Sequence, residues 1–121
     1  MTQGEYDLIV GIIGLPKRHQ RANSSIYALL KYSGYFEMHD HITVESIREV
    51  LVERPDCAQD WIQYSEDKRS DSGWFILQNG ADYQVGFYSR KAGITQTKNY
   101  SDRLEACATF IKNEIEDIRG C

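Results

Sequence analysis

Apolar residues recur at helical spacing in the middle of the chain, which predicts two short helices joined at Arg54-Pro55. Thr43 is a good N-cap for the first helix, and its apolar positions are Val44, Ile47, Val50 and Leu51. Pro55 disfavours helical geometry at Arg54 and suits the first turn of the second helix. That helix carries Ala58, Trp61, Ile62 and Ser65 on one side. The two helices should form an angled pair.

The N-terminal third has a weaker pattern. Residues 5–13 are apolar enough for either a helix or a buried strand, and we favour a helix that Gly14 and Pro16 end. Residues 17–23 are polar and predict a loop. Asn23 or Ser24 can cap a short helix over residues 26–31, and residues 35–40 predict a connector.

Two runs of strand-forming residues flank Asn79-Gly80, a strong turn signal, and predict a hairpin of residues 73–78 and 82–89. A two-residue loop places Ile76 opposite Tyr83, with Trp74 opposite Val85. A four-residue loop keeps the same parity, so both loops leave these four side chains on one face. Residues 94–97 can add a short third strand.

After the strands, Ser101 can cap a last helix, whose apolar stripe is Leu104, Cys107, Phe110, Ile111, Ile115 and Ile118. The fold class predicted for residues 1–121 is one α+β domain. It has several short helices, a β-hairpin or three-stranded antiparallel meander, and a C-terminal helix packed on it.

Hydropathy and the lengths of the apolar runs argue against a membrane-spanning protein. The mean hydropathy is −0.52, and no apolar run approaches the roughly 18 residues that a membrane-spanning helix needs. The longest run, residues 8–15, follows Glu5 and Asp7, whereas a secretory signal starts with positive charge. We therefore expect a cytoplasmic protein without a membrane partner.

Charge is unevenly distributed along the chain. Residues 37–72 hold ten acids and four bases, a net charge of −6, whereas the remaining residues hold eight acids and ten bases, a net charge of +2. An acidic segment of this kind argues against nucleic-acid binding and is compatible with a basic protein partner. It is equally compatible with acids that only keep the helix surfaces soluble.

The sequence contains no diagnostic catalytic motif. His39 and His41 have an H-x-H spacing that could suit a metal on an extended segment, but the third ligand of a zinc site is missing. Glu66 and Asp67 are neighbours whose side chains point apart on a helix, and Lys68 and Arg69 should keep both ionised. We predict no enzyme activity, no metal and no cofactor.

The cysteines and aromatic residues indicate core positions. Cys57 and Cys107 lie on apolar stripes and predict buried, reduced thiols, while Cys121 ends the chain. Trp74, Tyr83 and Phe87 are expected in the core, and Tyr88 is expected to be exposed on the opposite sheet face.

Three segments resemble the immunity proteins of bacterial contact-dependent growth inhibition and related polymorphic toxin systems. They are Tyr64-Ser65-Glu66-Asp67-Lys68-Arg69 followed by Gly73-Trp74-Phe75, the lead-in Thr43-Val44-Glu45-Ser46-Ile47, and the tail Ala106-Cys107-Ala108-Thr109-Phe110-Ile111-Lys112. The resemblance covers roughly residues 35–119. It implies a non-enzymatic protein that binds and blocks a toxin domain of its own system, often a nuclease.

Resemblance and charge together predict a toxin-binding surface with no catalytic residue. Its predicted residues are Asp56, Asp60, Tyr64, Glu66, Asp67, Asp71 and Tyr88. The alternative is a small ligand-binding or regulatory module with a pocket between the aromatic hairpin and the adjacent helix. The toxin's identity and the oligomeric state stay open at this point.

Overall fold

Seven α-helices, one 3₁₀ turn and one three-stranded sheet form the part of the protein that the computed structural model describes, residues 1–68 and 72–120. The helices are α1 (Gln3–Ile13), α2 (Leu15–Arg21), α3 (Ile26–Tyr32), α4 (Tyr35–Met38), α5 (Val44–Glu53), α6 (Asp56–Asp67) and α7 (Arg103–Arg119). The 3₁₀ turn is His39–His41, and the strands are β1 (Gly73–Asn79), β2 (Asp82–Ser89) and β3 (Gly93–Tyr100). The predicted α+β class, with an antiparallel meander and a C-terminal helix packed on it, is confirmed.

Side-chain caps mark where the helices begin. The Thr43 hydroxyl accepts a hydrogen bond from the third N–H of α5 at 3.1 Å, which confirms the predicted N-cap. The cap of α7 is Asp102 rather than Ser101, because Asp102 directly precedes the helix and its carboxylate accepts from the second N–H at 3.0 Å. The cap of α3 is Ser25, again one residue later than predicted.

Residues 17–23 and 35–40, predicted as a loop and a connector, are largely helical. Helix α1 ends at Ile13 with Gly14 as its C-cap, as predicted. Pro16, the other expected stop signal, lies in the first turn of α2, where its missing N–H leaves no hydrogen bond unmade. Each of the two helices is anchored at its start by buried residues, Leu15 with Pro16 in α2 and Tyr35 in α4. Helices of seven and four residues are too short to show a helical period of apolar residues in the sequence.

The sheet has the order β1-β2-β3 and is antiparallel throughout. Ile76 lies opposite Val85, so the predicted pairing of Ile76 with Tyr83 is wrong by two residues. The turn falls on Gly80-Ala81 instead of Asn79-Gly80, and Gly80 adopts the left-handed φ of +67° that this turn requires. A shift of two residues preserves the side-chain parity, which is why Ile76 and Val85 still share the buried face.

Helix α7 lies at the centre of the fold and contacts α3, α5, α6 and all three strands. The predicted stripe is confirmed: its members Cys107, Phe110, Ile111 and Ile115 are fully buried, and Leu104 and Ile118 pack against the core. Trp61 of α6 is also fully buried, with its indole N–H donating to the carbonyl of Ile13 at 3.1 Å. The core therefore ties the N-terminal helices to α6 and α7.

The helices are short. The longest, α7, has 17 residues and spans roughly 25 Å at about 1.5 Å per residue. None of the helices within residues 1–68 and 72–120 is both long and apolar enough to cross a membrane.

Candidate functional site

Three of the predicted contact residues lie along one side of α6. Asp56, Asp60 and Asp67 fall within roughly 40° of one another around the helix and over roughly 16 Å of its length. We call these three residues the acidic stripe. Asp56 and Asp67 are exposed, whereas Asp60 is half-buried beside α2, with its carboxylate 3.6 Å from the ammonium of Lys17. The stripe is thus negative along its length, with one basic neighbour near its middle.

The other predicted contact residues lie on different surfaces. Glu66 is exposed on α6 but about 100° around the helix from Asp67. Tyr88 is 44% exposed, as predicted, on the sheet face turned away from α7. Asp71 lies outside the described residues. The structure therefore brings three of the acids together and separates them from Tyr88.

Tyr64 points inward from α6 and is half-buried. Its ring packs against Trp61 and Phe110, with centroid distances of 5.2 Å and 6.5 Å, and its hydroxyl donates to Glu114 at 2.7 Å. Burial, followed by the charge of Glu114, raises the pKa of Tyr64 above its ordinary value. The hydroxyl is thus engaged inside the protein, and the side chain can offer a partner only the exposed part of its ring.

Glu114 of α7 is 1% exposed, an unusual position for a carboxylate. One of its oxygens accepts from Tyr64, and the other lies 2.8 Å from the ammonium of Lys68. Lys68 therefore forms an ion pair with α7, whereas it was expected to act on the neighbouring Glu66 and Asp67. We call Tyr64, Lys68 and Glu114 the buried triad.

The buried triad was not predicted from the sequence, although one signal was present. Glu114 lies three residues after Ile111 and four before Ile118, so it occupies the apolar stripe of α7. An acid at such a position requires a cation or a hydrogen-bond donor opposite it. Its partners come from a helix about fifty residues earlier in the chain, and no local pattern shows that pairing.

The C-terminal end of α6 is also fastened to the free edge of β1. The Ser65 hydroxyl accepts from the N–H of Ile76 at 3.0 Å and lies 3.3 Å from its carbonyl oxygen. The Lys68 ammonium donates to the carbonyl of Trp74 at 3.3 Å. These contacts satisfy main-chain groups that an edge strand would otherwise leave open, and they hold the end of the acidic stripe in place.

A surface cleft of about 300 Å³ lies between α2 and the C-terminal end of α6. Its lining residues are Pro16, His19, Gln20, Tyr64, Asp67 and Lys68. The volume is at the lower limit for small-molecule sites and is sufficient for one side chain of a partner protein. Tyr64 and Asp67 were predicted contact residues, whereas the α2 residues were missed because that segment was predicted as a loop.

A second, smaller cleft of about 100 Å³ lies on the other side of Lys68. Trp74 and Tyr88 line it, but its volume is well below the range for ligand sites. Trp74 also packs edge-on against Phe87, at a centroid distance of 5.3 Å. The aromatic hairpin is thus filled mainly by its own side chains and leaves little room for the ligand pocket of the alternative hypothesis.

His39–His41 forms a 3₁₀ turn, so the predicted extended segment is wrong. The Nδ1 of His39 lies 3.1 Å from the Asp40 carboxylate and 3.8 Å from that of Glu116. Within the described ranges, no group of three or more His, Cys, Asp or Glu side chains is placed to hold a metal ion.

The two described cysteines are free thiols. Cys107 is fully buried, and burial raises its pKa to about 12. Cys57 is half-buried, with a pKa that burial also raises. Neither is an activated nucleophile at neutral pH, because activation lowers the pKa of a thiol. Cys121 lies outside the described residues.

A second polar cluster joins the C-terminal half of α7 to α4. Tyr35 donates to Glu116 at 2.7 Å, and Arg119 donates to both oxygens of the same carboxylate. Lys112 binds the Tyr35 hydroxyl at 2.7 Å and the His39 carbonyl at 2.9 Å. Arg119, followed by Tyr35, holds the pKa of Glu116 down at about 2. This cluster, too, was not predicted from the sequence.

Comparisons with protein-family models, with curated proteins and with solved structures found no match for this chain. We therefore infer a function from the geometry and charge of the acidic stripe and the cleft beside it.

Proposed function

We propose that this protein is an immunity protein that binds and neutralises a cognate toxin domain of the nuclease class by stoichiometric inhibition. The observation that carries the proposal is the acidic stripe, which ends at a cleft lined by Tyr64 and Asp67. Nucleases need basic surfaces to hold phosphates, and carboxylates on a fixed helix can occupy such a surface in their place.

The rigidity of α6 supports this role. The buried triad and the contacts of Ser65 with β1 hold the C-terminal end of the helix on two sides. A surface that is ordered before binding loses less conformational entropy in the complex than a flexible one. The acidic stripe would therefore present its charges to a partner at little further cost.

The cleft supplies a place for an anchor side chain of the partner. An arginine could stack its guanidinium on the exposed part of the Tyr64 ring and pair with the Asp67 carboxylate. The charge of Lys68, which also lines the cleft, is balanced by Glu114 at 2.8 Å. We propose that one arginine of the toxin domain occupies this cleft, since buried arginines are frequent hot spots of protein interfaces.

The test is binding to the C-terminal domain of a secreted effector encoded beside this protein, measured by co-purification and calorimetry. Asp56→Lys, Asp60→Lys and Asp67→Lys together should reduce affinity at least about 100-fold and abolish protection of cells against the toxin.

Helix α5 offers a control matched in the number of charges, because Glu45, Glu49 and Glu53 form an exposed acidic row on it. Reversing these three charges changes the net charge by the same amount on another surface and should leave affinity nearly unchanged. Equal losses in both triple variants would mean that overall charge matters and the acidic stripe does not. Unchanged affinity in the α6 variant would place the interface elsewhere.

A second candidate function is that of a small ligand-binding module. Its ligand site would be the larger cleft between α2 and α6, and not the smaller cleft beside the hairpin. A ligand screen by thermal shift, with Gln20→Trp as the variant that fills the cleft, would test it. A ligand that stabilises the wild type and not the variant would support this function.

A further inference from the structure

The sheet has an inner face covered by α6 and α7 and an outer face that carries apolar side chains. Side chains alternate between the two faces along each strand, and Ile76 and Val85 lie on the inner face. Phe75, Leu77 and Tyr88 therefore lie on the outer face. Ile94, which pairs with Tyr88, lies there too. Leu77 is 41% exposed, Tyr88 44% and Ile94 58%. Three large, exposed apolar side chains thus share one small surface, which is the kind of patch that marks an interaction site.

Gly86, at the centre of this outer face, has no side chain and leaves room for its neighbours there. A Cβ built on Gly86 would lie 2.7 Å from Cζ of Phe75 and 2.9 Å from Cγ2 of Thr97. The end of the Phe75 ring and the methyl group of Thr97 therefore occupy the space above Gly86. Since no side chain of β2 projects at this point, another sheet face can approach the centre of the outer face.

Opposite charges lie at the two ends of the central strand. Asp82 begins β2 at one end, and Lys91 lies in the turn after β2 at the other. Both residues are exposed, and Gly86 lies about midway between them. A twofold axis near Gly86 that reverses the strand direction would bring Asp82 of one copy to Lys91 of the other at both ends.

We propose that the outer face binds a second copy of this chain, so that two sheets pack face to face with their β2 strands antiparallel. The contact would be isologous, with the apolar side chains at its centre and an ion pair at each end. Sheets packed in this way lie about 10 Å apart and interdigitate their side chains. This inference concerns a different surface from the acidic stripe and does not depend on the proposed toxin binding.

The size of the outer face sets the expected affinity. Three strands about 4.8 Å apart and roughly seven residues long at about 3.3 Å each make a face of roughly 14 by 23 Å. Such an area, roughly 300 Å² per copy, lies below the range of stable interfaces, so we expect a weak, transient dimer with a dissociation constant of about 100 µM. The dimer would then form only at high local concentration.

Sedimentation velocity of the full chain at loadings from about 5 to 500 µM spans this dissociation constant and tests the proposal. The wild type should shift from monomer to dimer, and Ile94→Lys should stay monomeric throughout. Asp82→Lys and Lys91→Asp should each weaken the dimer several-fold, and the double reversal should restore it to within about twofold of the wild type. Tyr32→Lys, at an 84% exposed residue of α3, is the control that should dimerise normally.

Thermal melts of each variant establish that it is folded, and the two charge reversals remain informative if Ile94→Lys is destabilised. A wild type that stays monomeric at about 500 µM overturns the proposal, since the expected dissociation constant lies below that concentration. Association that the double reversal fails to restore overturns it as well, because pairing along the β3 edge or a heterologous contact would not respond to this exchange of charges.

Discussion

Two glutamates of α7, two residues apart, form clusters of the same design in different surroundings. Glu114 and Glu116 each accept a hydrogen bond from a tyrosine hydroxyl at 2.7 Å, and each is paired with a cation at 2.8 Å. The side chain of Glu114 is 2% exposed, whereas that of Glu116 is 33% exposed. The chemistry of the two clusters is alike, so a difference in their effects on stability would come from the degree of burial.

Burial changes what each cluster does when a partner is lost. Water can replace a missing partner of Glu116, whereas the Glu114 carboxylate is shielded from water by its burial. A buried charge without its partner is costly, whereas an exposed ion pair contributes little. The comparison indicates that the buried triad contributes strongly to the packing of α6 on α7. The Glu116 cluster contributes less, and it holds only the turn after α4.

Replacing the cation of the buried triad should give the largest effect. Lys68→Met keeps most of the side-chain volume but leaves the Glu114 carboxylate without a counter-charge, so we expect a loss of about 3 kcal/mol in the free energy of unfolding. Urea denaturation at pH 7 measures it. Arg119→Met, the equivalent change at Glu116, should produce a much smaller shift of the denaturation midpoint.

The double variant Lys68→Met with Glu114→Leu gives the control, because it removes both charges together. It should recover a large part of the lost stability, since an apolar pair can replace a buried ion pair at little cost. If Lys68→Met and Arg119→Met destabilise equally, the difference in burial between the clusters does not govern their energetics.

The tyrosines allow a smaller and closer comparison. Tyr64→Phe removes a donor to the buried Glu114, and we expect a loss of about 2 kcal/mol. Tyr35→Phe removes a donor to Glu116 and an acceptor for Lys112. Because Glu116 keeps Arg119 and access to water, and Lys112 keeps the His39 carbonyl, we expect a loss of about 1 kcal/mol. Denaturant titration of both variants, with Tyr32→Phe as the exposed control, gives the ranking. A larger loss in Tyr35→Phe would contradict the argument from burial.

Much of the fold could be predicted from the sequence because it is set by local patterns. The Val44–Glu53 helix, its Thr43 cap and the apolar stripe of α7 follow from side-chain periodicity and capping chemistry, and the structure confirms them. The strand register failed by two residues because Asn79 was assigned to the turn instead of β1. Turn placement depends on the tertiary packing of both strands as well as on the turn residues.

The candidate site was less accessible to sequence reasoning. The spacing of Asp56, Asp60 and Asp67 was visible in the sequence, and the structure places them on one stripe. One wall of the cleft belongs to α2, and Glu114 of α7 binds the Tyr64 hydroxyl. Both segments lie about fifty residues along the chain from the end of α6 that they contact. Such long-range pairings are decided by packing of the whole core, so neither could be inferred from a single sequence.

The last comparison is the pH dependence of the Glu116 cluster, which we expect to be smaller than the pKa shift alone implies because solvent screens a carboxylate that is 33% exposed. The folded pKa of Glu116, about 2, lies below its ordinary value of 4.5, so its carboxylate stabilises the fold fully above about pH 4.5. This contribution is lost as the pH falls from 4.5 towards 2. Glu116→Gln should therefore be less stable than the wild type at pH 7, and this gap in the free energy of unfolding should close on acidification through this window.

Urea denaturation of both proteins at intervals between pH 7 and pH 2 measures the gap, with Glu105→Gln as an exposed control on the same helix. A gap that stays constant down to pH 2 would show that the amide's shape, and not the lost charge, accounts for the destabilisation. A gap that is widest near pH 2 would reverse the sign of the linkage and contradict the assigned role of Arg119 and Tyr35 as partners of the ionised carboxylate.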